Sequence, residues 1–411
     1  MPLEKILIIA VNKPEYQEER FQSSLEELIS LCKTAGGTVK KIVTQNRARI
    51  HPAFYIGQGK MEEIKEDIDE LEIDLVVSND ELSSGQLRNL SNNFGLRIID
   101  RSQLILDIFA GRAKTKEGKL QVELAQLEYM LPRLRGQGTE LSRLGAGIGT
   151  RGPGETKLET DQRHIRRRIY DIKRRLKMVV GQREQYRKRR KRNDVFQIAI
   201  VGYTNAGKST LFNRLTNSSS LEEDKLFATL DPLTRKIQLP SGFQPLITDT
   251  VGFIQDLPTT LIAAFRSTLE EVREADFILH VVDGSHPEME RHQDTVHQLL
   301  AELDSHTIPM VTIYNKRDLI KDDVIPMNRP YMVMSALEHE EIQRFISYLE
   351  EVLKEQWDKY IFYLNPDEGK LLNRLEHETI IEKKQFDEDK NKYYVQGYIP
   401  NEHPLKSILK G

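Results

Sequence analysis

The sequence predicts an α/β protein in four parts: an N-terminal α/β domain over residues 1–112, a long antiparallel helical hairpin over 113–194, a mixed sheet flanked by helices over 195–356, and a small C-terminal α+β module over 357–411. Three observations predict it. At 411 residues the chain is too long for one hydrophobic core and should divide at roughly 100 to 200 residues per domain. Two stretches alternate short β-rich apolar runs with helical periodicity, as expected where helices cover a largely parallel sheet. Between them lie two polar segments whose apolar residues follow heptad seams.

In the first stretch Lys5–Val11 reads as a strand, and Leu25, Leu28, Ile29 and Cys32 recur at three and four within a helix over Tyr16–Lys33 that Gly36 and Gly37 stop. Further strands fit Val39–Thr44, Ile73–Ser78 and Leu96–Ile99, with helices beginning near Lys60, Ser83 and Ser102. Past Gly118, one seam runs through Leu120, Leu124, Leu127, Leu131 and Leu134, and a second through Leu158, Ile165, Ile169, Ile172, Leu176 and Val179. Each is too narrow to bury itself, so the economical arrangement is a hairpin in which the two pair. The connecting segment Gly136–Gly154 carries seven glycines and is too long for an ordinary connection. Val195–Val201 opens the second α/β unit, which runs to about Gln356. In the tail, Ile361–Leu364 and Tyr393–Ile399 read as strands without recognisable chemistry.

With 38% hydrophobic and 30% charged residues the composition is that of a water-soluble globular protein. No apolar run approaches the ~18 to 20 residues that span a bilayer, and Met1–Lys5 lacks the basic-then-apolar layout of a signal peptide, so a cytoplasmic protein is expected. The single cysteine, Cys32, excludes an intramolecular disulfide and reads as a buried packing thiol. The formal net charge of -3 hides a local asymmetry, because Arg163–Arg192 holds fifteen Lys or Arg against Asp171 and Glu184. A field of one sign suits phosphate neutralisation. With only Tyr170 and Tyr186 interleaved, it points to the shape and phosphates of folded RNA; nothing indicates DNA. Arg135, Arg143 and Arg151 add charge to the glycine-rich tip.

Gly202-Tyr203-Thr204-Asn205-Ala206-Gly207-Lys208-Ser209-Thr210 matches the phosphate-binding loop G-x-x-x-x-G-K-[ST], after an apolar strand and before a helix with Leu211, Phe212 and Leu215. Its backbone N–H groups close around phosphates, Lys208 reaches the β and γ phosphates, and the Ser209 hydroxyl ligates Mg²⁺. About forty residues on, the strand Leu246–Thr248 ends in Asp249-Thr250-Val251-Gly252, placing a carboxylate behind the metal and the Gly252 N–H at the γ phosphate. Between them Phe227-Ala228-Thr229-Leu230-Asp231 should supply a second metal-binding hydroxyl, Thr229 rather than Thr234, which starts the next strand. Asn315-Lys316-Arg317-Asp318 follows the strand Met310–Tyr314; a carboxylate at Asp318 accepts from guanine N1 and N2, a donor pair adenine lacks. Ser335-Ala336-Leu337 offers a backbone N–H to guanine O6. The third domain is thus expected to be a P-loop GTPase domain, with Lys208, Thr229 and Gly252 acting at the γ phosphate.

With these residues assembled, the chain resembles the HflX family of bacterial translational GTPases. The resemblance is carried by G-Y-T-N-A-G-K-S-T at Gly202–Thr210, F-A-T-L-D-P at Phe227–Pro232, D-T-V-G-F at Asp249–Phe253, and the family-specific G-x-G-T-E-L…R-G-P-G-E-T at Gly136–Thr156; it covers about residues 1–370. It implies an enzyme that binds the large ribosomal subunit and its RNA to split or rescue stalled ribosomes. It also implies Thr229 as the Mg²⁺-binding switch threonine and nucleotide binding, ATP included, by the N-terminal half, where no second P-loop exists. A monomer is expected.

One position departs from the Ras-like pattern. Where a glutamine orients the attacking water there is Phe253, so intrinsic hydrolysis should be slow and positioning must come from elsewhere. Asn205 occupies the P-loop position of potassium-activated GTPases, where K⁺ does the electrostatic work of an arginine finger; alternatively it stabilises the loop by backbone hydrogen bonds. Two other functions compete: an RNA-binding or assembly module in which GTP only gates affinity, and a tRNA-modification GTPase, for which no cofactor or cysteine motif is present.

Overall fold

Six consecutive residues, Ile6–Val11, are 0–1% exposed, which requires cover on both faces of the sheet they enter. They form the middle of β1 (Glu4–Asn12), followed by α1 (Glu18–Thr34), β2 (Gly37–Asn46), α2 (Gln58–Leu71), β3 (Leu75–Ser78), α3 (Ser84–Phe94), β4 (Arg97–Asp100) and α4 (Arg101–Arg112). The sheet is wholly parallel, in the order β2-β1-β3-β4. The helix ends follow their chemistry: Ser83 and Gln86 form a reciprocal capping box on α3, Gly95 closes it in the left-handed conformation, and Asp100 caps α4 through the Gln103 N–H. Cys32 is buried, and burial pushes its thiol up to about 12.

This computed structural model describes residues 3–14, 18–134, 157–192, 195–217, 226–254, 270–320, 325–326 and 329–406; residues 157–159, 182–184 and 186–192 are described by backbone alone. Among them the chain divides into two units, one comprising Met1–Val180 and Lys225–Phe227, the other Gly181–Asp224, Ala228–Ile254 and Ser267–Gly411. The first also holds α5 (Lys116–Leu134) and most of α6 (Lys157–Arg192). The two helices meet along Leu120, Leu124 and Ile172, flanked by Leu127, Ile169 and Leu176, with ion pairs Arg168–Glu123 at 2.6 Å and Lys173–Glu128 at 2.7 Å. The glycine-rich tip with Arg135, Arg143 and Arg151, and the side chains of Leu158, Tyr186, Arg187, Arg189 and Arg190, lie outside the described residues.

The second unit contains β5 (Gln197–Gly202), α7 (Lys208–Thr216), β6 (Leu233–Lys236), β7 (Leu246–Asp249), β8 (Phe277–Asp283), α8 (Met289–Glu302), β9 (Met310–Asn315), β10 (Tyr331–Val333) and α9 (His339–Gln356). The sheet order is β10-β9-β8-β5-β7-β6, with only β6 antiparallel. Connections leave β5 in opposite directions, so Gly202, Asp249, Asp283 and Asn315 end neighbouring strands where doubly wound sheets bind ligands.

The tail adds β11 (Asp358–Leu364), α10 (Gly369–Glu378), β12 (Ile380–Asp387) and β13 (Lys392–Ile399), an antiparallel sheet in the order β11-β13-β12. It is no appendage: Trp357 stands edge-on to Phe196 and Phe243 at 5.2 Å each, and Ile380 joins the core of the larger sheet.

Candidate functional site

The loop between β5 and α7 is shaped by two residues in the left-handed region, Asn205 at φ +61° and Gly207 at φ +92°. A Cβ on Gly207 would lie 2.1 Å from the Asn315 side-chain nitrogen, so this glycine answers both a backbone and a space requirement. Lys208 opens α7 with its side chain buried, its Nζ donating to the Tyr203 carbonyl at 2.6 Å, and burial pulls its pKa down to about 8. Thr204 and Ala206 are buried beside it, and Asn205 is exposed. The Tyr203 ring stacks on His292 of α8 at 3.8 Å.

Three oxygen groups converge next to Lys208. Ser209 Oγ lies 2.9 Å from Thr229 Oγ1 and donates to Asp249 Oδ2 at 2.9 Å, while Thr229 Oγ1 donates to the same carboxylate oxygen at 2.7 Å. Asp249 is wholly buried, and desolvation raises its pKa against the Thr229, Lys208 and Ser209 contacts that lower it. Its Oδ1 has no hydrogen-bond partner, an uncompensated acceptor that a hard cation would satisfy. Thr250 faces away, donating to the Ile200 carbonyl at 2.5 Å, and Val251 is buried. A Cβ on Gly252 would meet Lys208 Nζ and Thr204 Cα at 2.8 Å, so only glycine lets the two loops approach.

At the far side of the loop Asn315 acts as a clip, its Nδ2 donating to the Ala206 carbonyl at 2.9 Å and its Oδ1 accepting from the Ala336 N–H at 2.8 Å. Lys316, at φ +64°, pairs with Asp283 at 2.7 Å and turns the chain into a 3₁₀ turn, Arg317–Leu319, on which Asp318 is exposed. Glu341 accepts from the Ser335 N–H at 2.5 Å and pairs with Arg317 at 2.5 Å, holding the two segments side by side; Leu337 is exposed. Asp283 and Glu341 were not among the residues expected from sequence. Asp283 carries a signal in hindsight, a lone acid closing the apolar run Phe277–Val282, whereas Glu341 is one of several acids opening α9 and carries none. Phe227 and Leu230, expected near the nucleotide, are buried, with the Phe227 ring on Phe109. Ala228 and Asp231 are half-buried, as is Thr210 on α7.

A GTPase HflX of Alkalihalophilus pseudofirmus is 54% identical to this chain over 395 residues, spanning 96% of it and 93% of the relative. The chain belongs to the HflX family of GTPases. The HflX of Escherichia coli K12 is 42% identical over 380 residues, 91% of this chain and 89% of its own. Family models match in three consecutive pieces: residues 22–110 as the GTP-binding GTPase N-terminal region, 112–190 as its middle region, and 197–316 as 50S ribosome-binding GTPase. The solved structure of SsGBP with GDP, 24% identical, covers 85% of this chain and 98% of its own with a TM-score of 0.50, a likeness of fold alone. Like the HflX proteins it matches, the chain is a GTP-hydrolysing enzyme. Among the described residues no helix is long and apolar enough to cross a membrane.

Phe253, which stands where the Ras-like pattern has a glutamine to orient water, has a structural role instead. Its backbone bridges to Tyr203, the Phe253 N–H donating to the Gly202 carbonyl at 3.1 Å and the Thr204 N–H to the Phe253 carbonyl at 2.8 Å. The ring is buried among Val201, Val272, Ala275, Ile278, Val296 and Leu300, so it is a packing anchor and has no part in holding water. Phe253→Gln should not raise the hydrolysis rate and should destabilise the protein by about 2–4 kcal/mol, through a lost apolar ring and a buried amide, as read by urea unfolding. A faster enzyme of unchanged stability would contradict this.

Proposed function

We propose that this GTPase binds the large ribosomal subunit through its RNA and couples GTP hydrolysis to splitting or rescue of stalled ribosomes, as a monomer in the cytosol. The observation that carries the proposal is the match of residues 197–316 to the 50S ribosome-binding GTPases. The fifteen-to-two excess of basic residues in Arg163–Arg192 supports RNA as the contact. The working parts are residues 1–112, 113–194, 195–356 and 357–411.

In this reading the N–H groups of Asn205–Thr210 and the Lys208 ammonium hold the phosphates, whose charge restores the proton that burial loosens on Lys208. Ser209 and Thr229 would hold Mg²⁺ with Asp249 behind them, and the ion would supply positive charge to the phosphates. Thr229 and the Gly252 N–H sense the γ phosphate, Asn315 joins phosphate loop to base pocket, and Asp318 with Ser335–Leu337 reads guanine. K⁺ beside Asn205 is proposed to supply positive charge at the phosphates, in place of the glutamine that Phe253 replaces. The left-handed backbone at Asn205 equally suits a residue that shapes the loop, since asparagine is among the few that adopt it.

The test is GTP turnover with and without large subunits, in K⁺ and in Na⁺ at matched ionic strength. Stimulation of at least about a hundredfold by the subunit is expected, in the range of partner-assisted GTPases. Equal turnover in both cases would favour the second reading, a GTP-gated RNA-binding module, which the buried Phe253 ring also suits. Equal rates in the two salts would remove K⁺ and leave water positioning to the ribosome.

A further inference from the structure

On α8 the inward face carries His292, Val296 and Leu300 at helical spacing, and the last two pack with Val201, Phe253 and Ile278. Packing alone would place a third aliphatic chain at the first of these positions, because a buried imidazole gives up hydration for little apolar gain. The ring that stands there instead is 8% exposed and lies flat against Tyr203, centroids 3.8 Å apart and planes within 6°. The His286 ring tilts against it at 41°, with centroids 4.4 Å apart. Burial, helped by His286, pulls the His292 pKa down to about 4, so its ring is uncharged at neutral pH. The partner in this stack, Tyr203, is the first residue past Gly202. Its backbone bridges to Phe253, and its carbonyl accepts from Lys208 Nζ at 2.6 Å and from the Ala206 N–H at 3.3 Å. The loop that follows must hold Asn205 and Gly207 in the left-handed region, so where it starts decides where its N–H groups point.

We propose that His292 is a positioning residue for nucleotide binding: its ring, stacked on Tyr203, holds the first turn of the phosphate loop in the shape that receives phosphate. The inference rests on Gly202–Ser209 being that loop, and adds to it a support on α8 outside the motif. A loop already in its bound shape loses less conformational entropy when phosphate arrives, so the stack is felt as affinity. An aliphatic chain of similar volume would fill the same space without the preference of one flat ring for another.

The experiment is titration of the full chain with fluorescent GDP and GTP at fixed Mg²⁺, beside a thermal melt of each variant. His292→Leu should melt at or above the wild-type midpoint, because an aliphatic chain suits the stripe of Val296 and Leu300. It should nevertheless bind both nucleotides about fivefold more weakly, the scale of one aromatic pair. His292→Phe, which restores a flat ring without nitrogens, should return affinity to within about twofold of wild type. A merely structural role would make affinity follow the melting midpoint, leaving His292→Leu as tight as wild type, and that result would overturn the proposal. So would His292→Phe as weak as His292→Leu, which would assign the effect to the ring nitrogens. Tyr203→Leu should show the same loss and the double variant no further one, because both act through one contact; losses that multiply would refute the stack. Lys208→Ala keeps the two readings distinct. Unchanged affinity there would remove the phosphate loop and this inference together, whereas a large loss there beside unchanged affinity in His292→Leu would remove the inference alone.

Discussion

Lys208→Ala raises the dissociation constant for GTP·Mg²⁺ at least about a hundredfold and leaves the protein folded. Two charge-assisted hydrogen bonds to phosphate oxygens, each worth roughly 1.5–3 kcal/mol, disappear, and each 1.4 kcal/mol is about a factor of ten. Stability is largely spared because the loss of the buried Lys208 stem is offset by removal of a desolvated ammonium. Its ammonium is desolvated, its pKa pulled down to about 8, with the Tyr203 carbonyl as its hydrogen-bond acceptor at 2.6 Å. A desolvated buried charge is a cost to the apo fold that the nearby Asp249 only partly offsets, so removing it costs little. Titration with a fluorescent GTP analogue, beside a thermal melt, measures both. Wild-type affinity in a folded Lys208→Ala would dismiss Gly202–Ser209 as the phosphate site. Ser209→Ala should show its loss chiefly as weakened dependence on Mg²⁺, since it removes one oxygen of the Ser209–Thr229–Asp249 group.

Asp318→Asn moves the preferred base from guanine to xanthine, by a ratio on the order of a thousandfold, the scale on which polar sites reject a mismatched donor pattern. The carboxylate accepts from two ring donors; an amide offers one acceptor and one donor, which matches xanthine and leaves guanine facing a donor. Around Asp318 the backbone is set by Lys316 on Asp283 and Arg317 on Glu341, neither of which the substitution touches. Competition between GTP, XTP and ATP for the full-length protein reads the outcome directly. ATP displacing GTP from the unmodified site would refute base selection by Asp318.

Most of this site was legible because its chemistry is local. A glycine-bracketed loop between an apolar strand and a helix declares itself within nine residues, and strands ending in Asp249 and Asn315 fall at spacings a parallel sheet requires. The parallel N-terminal sheet was equally readable from Ile6–Val11 and Leu75–Val77, whose unbroken apolar runs imply burial on both faces. What the chain did not disclose depends on neighbours far along it. Glu341 matters through Ser335 and Arg317, six and twenty-four residues away, and reads as a helix-opening acid until the fold brings them together. Strand β12 escaped notice because its Glu382–Phe386 face is exposed and charged, with only Ile380 and Ile381 to mark its start. Phe227 was assigned to the nucleotide by its place in a motif; that its ring packs edge-on to Phe109, more than a hundred residues earlier, no local pattern announces.

The ladder pairing of Tyr203 with Phe253 makes the turn after Asp249 a continuation of the sheet. Swinging it away would break two main-chain bonds and draw a phenyl ring out of its packing. The amides of Thr204 and Phe253 should therefore exchange with deuterium slowly and together, in GDP as in GTP. A backbone so sewn is a stationary wall beside the phosphate-binding loop, and on the proposed reading the task of registering the terminal phosphate would fall to the side that carries Thr229. On that reading one side of the site serves as a fixed reference surface, and the expected motion is confined to the other.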